Sequence, residues 1–305
     1  MTVLFGGGIH IGVGFMSIIE AIVQGIVQGL TEFLPVSSSG HLSLVQHFFG
    51  IDGNTAVASS IVMHLGTLVA VFIAFRHRIW QLILEALSMI KDIFTGKFKW
   101  SKMNDNRRMI MLIIISILPL FIFFIFRDFF EGISSDSDIT VEGFAFLYTS
   151  AILFLSCKFG SNSKDIGDAT VKDALVIGTF QGIALVPGIS RSGSTISAAL
   201  FCGMKRETAV EYSFILGIPV ILAGAVVELK DFNAAENSEH ILPLLIGFAV
   251  SAVVGFLAIK LVKWLIKDGK FKVFAYYTLI LGILVVAAGF FEHHIGMTIP
   301  EYLAK

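Results

Sequence analysis

The chain has 305 residues, 55% of them apolar and 15% charged, with a formal net charge of −1 and a mean hydropathy of +0.84. Soluble domains average roughly 45–50% apolar and 25% charged, so this composition excludes an ordinary soluble enzyme. The near-zero net charge says nothing about partners; no nucleic-acid partner is expected.

The first residues, Met1-Thr-Val-Leu-Phe-Gly-Gly-Gly8, carry no basic start, and no cleaved signal peptide is expected. Six regions are long and apolar enough to cross a bilayer as helices: 55–76, 108–127, 141–159, 208–230, 241–263 and 273–291. A seventh stretch, 79–94, is amphipathic, carries Glu85, Lys91 and Asp92, and is predicted to lie at the membrane interface. Cys157 and Cys202 end apolar segments without metal-ligand spacing and read as packing residues. Residues 95–106 read as a solvated loop.

Basic residues crowd three connections: Arg76 to Arg108, Lys205-Arg206, and Lys260 to Lys272. The positive-inside rule places all three on the cytoplasmic side, with the acid-rich connections 127–141 and 229–241 and the tail from Glu292 outside. Six spans alternate correctly under that assignment only if regions 16–50 and 168–203 each enter and leave the membrane on one side. Both are therefore predicted to be re-entrant helical hairpins.

These two regions also resemble one another. Glu20–Gly29 laid over Asp173–Gly182 pairs Ala21 with Ala174, Val23 with Val176, Gly25 with Gly178, Gln28 with Gln181 and Gly29 with Gly182. With one residue deleted, Ser37, Ser38, Ser39 and Gly40 then meet Ser190, Arg191, Ser192 and Gly193. The chain thus reads as a single all-α integral membrane domain, 1–305, built from a first repeat, 16–160, and a second, 168–292. Three spans per half force the copies into opposite orientations, an arrangement that puts a site on broken helices near the midplane.

Polar chemistry is concentrated in the hairpins. Glu20, Gln24, Gln28 and Glu32 recur every fourth residue and form one stripe on an apolar helix. Pro35 and Ser37-Ser38-Ser39-Gly40 break that helix, and His41 begins the returning arm. In the second hairpin Pro187-Gly188 breaks the chain, and Ser190-Arg191-Ser192-Gly193-Ser194-Thr195 opens the next helix. An arginine fork beside helix-start amides and hydroxyls suits phosphate oxygens. Other readings stand beside this one. Arg191 could be a structural partner of Glu32, His41 could cap its turn, and Ser39 reads better as an N-cap than as a reactive group. His64 reads as a helix-packing residue, while Glu211 and Tyr212 could either touch the site or anchor it at the interface. The residues alone support an anion site with an acid/base pair and do not separate hydrolysis from transport.

Gln28-x-x-x-Glu32, Phe33-Leu-Pro-Val-Ser-Ser-Ser-Gly-His41 and Pro187-Gly-Ile-Ser-Arg-Ser-Gly-Ser-Thr195 together resemble the bacterial undecaprenyl-diphosphate phosphatase family, also called bacitracin-resistance proteins, over about residues 16–292. Gln28 stands where some members have Glu. The resemblance implies an inner-membrane enzyme, its site open to the outer face, that hydrolyses a polyprenyl diphosphate with a divalent cation, Mg2+ or Ca2+. It also implies the roles: Glu32, Ser38, His41 and Arg191 catalytic, Glu32 as metal ligand or base, and Gln28, Ser37, Ser190, Ser192 and Thr195 on substrate. Either Ser38 or His41 would attack phosphorus. A carrier-lipid flippase or other secondary transporter is the alternative, and a homo-oligomer is left open. The other lipid phosphatase superfamily, with its later His/Asp pair, is disfavoured because no such pair follows Ser190-Arg191.

Overall fold

The computed structural model describes residues 16–49, 53–99, 103–126, 132, 138–160, 163–228, 241–267 and 270–303. Met1–Gly8 and most of the acid-rich connections lie outside these. In chain order the helices are α1 Ile18–Phe33, α2 Ser38–Phe49, α3 Gly53–Ala74, α4 Arg76–Phe94, α5 Asp105–Phe124, α6 Thr140–Phe159, α7 Val171–Ile183, α8 Arg191–Phe201, α9 Arg206–Glu228, α10 Ile241–Lys267, α11 Lys272–Ile295 and α12 Ile299–Leu303. No sheet forms among the described residues; a lone bridge joins Lys164 and Met204.

Six helices, α3, α5, α6, α9, α10 and α11, are long and apolar enough to cross a membrane, and they coincide with the six predicted regions. Several boundaries move by a few residues. α5 begins at Asp105 because the Asn104 side chain accepts from the Arg107 N–H, drawing Arg107 and Arg108 into the helix. α10 runs on to Lys267.

The spans carry their polar side chains inward. Ser116, Ser150 and Ser251 are buried, and their hydroxyls donate to the carbonyls of Ala174, Ala275 and Met63 on neighbouring helices at 2.8, 2.8 and 3.0 Å. Leu118, Phe121, Leu245, Val253, Leu257, Ile283 and Leu284 face outward. Apolar outside and small or polar inside is how helices associate where lipid tails replace water. This chain is a multi-pass membrane protein.

α4 follows α3 after Phe75 alone. It buries Ile79, Leu82 and Met89 and leaves Trp80, Ile83, Leu84, Leu87, Ile90 and Phe94 exposed, the face an interfacial helix needs. Arg107 of α5 holds it through Glu85 at 2.6 Å and Asp92 at 2.8 Å.

α1, α2, α7 and α8 have 16, 12, 13 and 11 residues. At 1.5 Å per residue none reaches across a hydrocarbon core of about 30 Å. α1 packs on α2 and α7 on α8, so each pair is a helical hairpin. α1 lies along α10, and α7 along α5. Gly25 and Gly178 permit those approaches: a Cβ on either would stand 2.8 Å from the Gly247 carbonyl oxygen or 2.3 Å from that of Ser116.

Candidate active site

Each hairpin is set up by its caps. α1 opens with a reciprocal capping box between Ser17 and Glu20, which takes Glu20 out of the polar stripe and leaves Gln24, Gln28 and Glu32, all buried. α7 opens with the equivalent box, Thr170 with Asp173. Burial alone would raise the Asp173 carboxyl, but the Thr170 N–H, Lys164 and the Thr170 hydroxyl outweigh it and hold it below the usual carboxylate range.

The two turns repeat each other's hydrogen bonds. Ser37, at φ +75°, accepts from Gly40 N–H at 3.2 Å, and its hydroxyl lies 3.4 Å from that of Ser39. Ser190 accepts from Gly193 N–H at 3.0 Å, with its hydroxyl 3.3 Å from that of Ser192. Each turn then reaches into the other. The Ser39 hydroxyl accepts from Gly188 N–H at 3.2 Å, and the Ser192 hydroxyl donates to the Leu34 carbonyl at 3.1 Å. A non-glycine residue at positive φ is strained, and here that strain is held by both hairpins.

At this junction the Glu32 carboxylate is the hub. One oxygen, Oε1, is ion-paired with the Arg191 Nη2 of α8. The other, Oε2, accepts from the Ser38 hydroxyl at 2.8 Å and from Gln28 Nε2 at 2.9 Å. The Nε2 of His64 lies 3.6 Å from Oε2, with its Nδ1 2.8 Å from the Ser60 carbonyl. Glu32 is nearly sealed, whereas Ser38 and Arg191 are only part-buried and reachable. Arg191 fits because Gly217 of α9 has no side chain: a Cβ there would lie 1.9 Å from Nη1.

His41 stands one turn beyond Ser38 on α2. Its Nδ1 is 2.6 Å from the Ser37 carbonyl and its Nε2 is 2.7 Å from the Tyr277 hydroxyl of α11. Since a carbonyl only accepts, Nδ1 carries a proton, and Nε2 of the neutral ring accepts from Tyr277.

The predicted residues thus divide. Gln28, Glu32, Ser38 and Arg191 converge in direct contact. Ser37, Ser190 and Ser192 shape and join the turns. Thr195 turns away: its hydroxyl lies 2.9 Å from the Arg191 carbonyl and 2.5 Å from the Ser213 hydroxyl, deep between α8 and α9. His64, read from sequence as packing, borders the carboxylate; Tyr277 and Gly217 carried no sequence signal. Glu211 pairs with Arg78 at 2.7 Å, anchoring α9 to α4, and Tyr212 is buried against the Ser116 hydroxyl at 2.8 Å.

The donor set does not suit a protein-held cation. Mg2+ or Ca2+ wants six or more oxygens, and among the described residues no three His, Cys, Asp or Glu side chains converge. Glu32 is the one carboxylate of the cluster and both its oxygens are engaged, which leaves Gln28 Oε1 as a buried acceptor without a partner. Cys157 and Cys202 are free thiols.

A family model described as "Bacitracin resistance protein BacA" matches residues 21–284. A protein named Undecaprenyl-diphosphatase from Alkaliphilus metalliredigens is 39% identical over 273 residues, 89% of this chain and 98% of its own length. Proteins of the same name from Methanobrevibacter smithii and Carboxydothermus hydrogenoformans are each 39% identical, over 88% and 90% of this chain and 97% and 100% of theirs. With the match running from within α1 to within α11, this chain belongs to the bacitracin resistance protein BacA family.

Proposed function

We propose that this protein hydrolyses undecaprenyl diphosphate to undecaprenyl phosphate and inorganic phosphate, returning a carrier lipid to cell-wall polymer synthesis. The observation that carries this reading is the Ser38 hydroxyl donating to Glu32 Oε2 at 2.8 Å, with Arg191 on the same carboxylate. A nucleophile needs a base within hydrogen-bond reach, and phosphoryl transfer needs fixed positive charge beside the transferred group. Ser38 attacks the terminal phosphorus while Glu32 takes its proton. The bond to the bridging oxygen breaks and undecaprenyl phosphate leaves. Arg191, with five N–H donors, spends one on Glu32 and has others for the phosphate oxygens.

Between the two nucleophiles left open by sequence, the geometry favours Ser38. The Ser38 hydroxyl donates to a carboxylate that can take its proton, whereas His41 bonds to the Ser37 carbonyl and the Tyr277 hydroxyl. Acid quenching during turnover distinguishes them: an acid-stable phosphoserine supports Ser38, and an acid-labile phosphohistidine overturns it. Phosphate release from the lipid diphosphate by purified protein tests the activity itself. Transport on the same scaffold gains no support from a serine hydroxyl aligned on a carboxylate.

The divalent cation, Mg2+ or Ca2+, would arrive on the lipid diphosphate. The inverted duplication and re-entrant hairpins are likewise proposed, supported by the matched caps, turns and helix approaches. The location is proposed as the bacterial inner membrane with the site open to the outer face, the polyprenyl tail remaining in the bilayer. A cysteine introduced at position 101 should resist labelling from outside intact cells; strong labelling would reverse the orientation.

A further inference from the structure

We propose that Tyr277 is a positioning residue for the second half of the reaction, holding His41 as the base that activates the hydrolytic water. This rests on Ser38 being the nucleophile. Attack by Ser38 leaves a phosphoserine, and the cycle closes only when water displaces it. The base for that water must lie near Ser38 yet be distinct from Glu32, which has already taken a proton.

His41 meets both conditions. It lies one helical turn from Ser38, and its Nδ1 proton is fixed on the Ser37 carbonyl, so the Nε2 lone pair is directed outward. The Tyr277 hydroxyl donates to that lone pair at 2.7 Å, the position from which a water would donate. The imidazole is also clamped: the Tyr277 ring is parallel to it within 8° at 5.7 Å, and the Phe146 edge meets it at 5.1 Å. Tyr277 is 46% exposed. Its hydroxyl could have faced outward to solvent or headgroups, yet it is turned onto an imidazole 236 residues away in sequence. Its neighbour Tyr276 meets Phe154 edge-on at 4.8 Å and serves as an internal control.

In the proposed step the water oxygen bonds to phosphorus as the bond between phosphorus and Ser38 Oγ breaks. The water proton passes to His41 Nε2, Ser38 recovers its proton from Glu32, and inorganic phosphate departs. His41 passes its proton on to the departing phosphate, and Tyr277, which gives up its bond to Nε2 as the water takes that place, neither supplies nor accepts a proton.

The test is pre-steady-state turnover of undecaprenyl diphosphate by Tyr277→Phe, which keeps the ring and removes the hydroxyl. Tyr277→Phe should melt like the wild type and hold KM within about two-fold while kcat falls about ten-fold, a fraction of the 10²–10⁴ that a general base contributes. Undecaprenyl phosphate should appear in a burst ahead of inorganic phosphate, with acid-stable phosphate trapped on Ser38. Adding His41→Asn should lower kcat further, but only to the level of His41→Asn alone, since the two act as one unit. Tyr276→Phe should turn over normally. Wild-type turnover by Tyr277→Phe, or a fall in kcat without accumulated phosphoserine, overturns the assignment. A wild type that releases no phosphate from the lipid would instead remove the phosphatase reading.

Discussion

The two hairpins share a scaffold and differ in their chemistry. α1–α2 and α7–α8 begin with the same capping box, approach a span through an equivalent glycine, and turn with the same pair of serine hydroxyls. Yet the first holds the Glu32 carboxylate and the Ser38 hydroxyl and the second the arginine. Gln28 bonds to Glu32, whereas its counterpart Gln181 is buried with neither amide atom paired. Packing and turn closure demand the same backbone geometry in both hairpins. The side chains at the junction differ, and they bring unlike charges to face one another.

The largest test of that division is Ser38→Ala, which removes the proposed nucleophile from the first hairpin. Phosphate release should fall at least about 10³-fold, on the scale of lost nucleophiles elsewhere, with folding intact by thermal melting. Substantial residual hydrolysis would move the attacking group elsewhere.

The Glu32–Arg191 joint comes next. Removing one partner leaves a buried charge and should cost about 3–5 kcal/mol of stability. Glu32→Gln combined with Arg191→Met should recover most of that stability but no activity, and a double-mutant cycle in detergent separates the two roles. Recovery of turnover would make the pair structural only. Arg191→Lys should fold and still lose most activity, because an ammonium cannot reproduce the planar fork.

A smaller effect is expected from Gly217→Ala, whose methyl group collides with Arg191 without touching its chemistry. Displacing a clamp by about 1 Å can cost 10²-fold in rate. The check is kcat/KM against a melting temperature near wild type; unchanged kinetics would show that Arg191 has another slot. The smallest effect is Gln181→Leu, which should leave activity unchanged and stability level or raised by about 1 kcal/mol, since two unpaired polar atoms leave the interior. Gln28→Leu should reduce turnover. Equal behaviour of the two variants would erase the asymmetry.

Most of the architecture was legible in the chain because hydrocarbon length and charge placement dictate it. The six long apolar helices and the amphipathic α4 follow from local pattern, and the meeting of Glu32, Ser38 and Arg191 from the likeness of the two serine turns. What escaped depends on which helices pack together. His64 resembled any histidine in a span until α3 met α1, and Tyr277 was one of two adjacent tyrosines with identical local signals. Gly217 mattered only once the guanidinium had a place. Thr195 was read from its motif as facing substrate, but at i+4 its hydroxyl finds the Arg191 carbonyl of its own helix first.

The reciprocal bonds from Ser39 to Gly188 and from Ser192 to Leu34 bear on how the protein is made. Synthesis delivers Glu32 159 residues before Arg191, and the amino-terminal half folds first on the ribosome. Through that interval the carboxylate lacks its cation and the Ser37 turn lacks the clasp that holds its strained backbone. The Glu32–Arg191 pair and the bonds between the two turns therefore form together, once α8 has been made. A chain truncated before Arg191 should be silent toward the lipid carrier however well its first half folds.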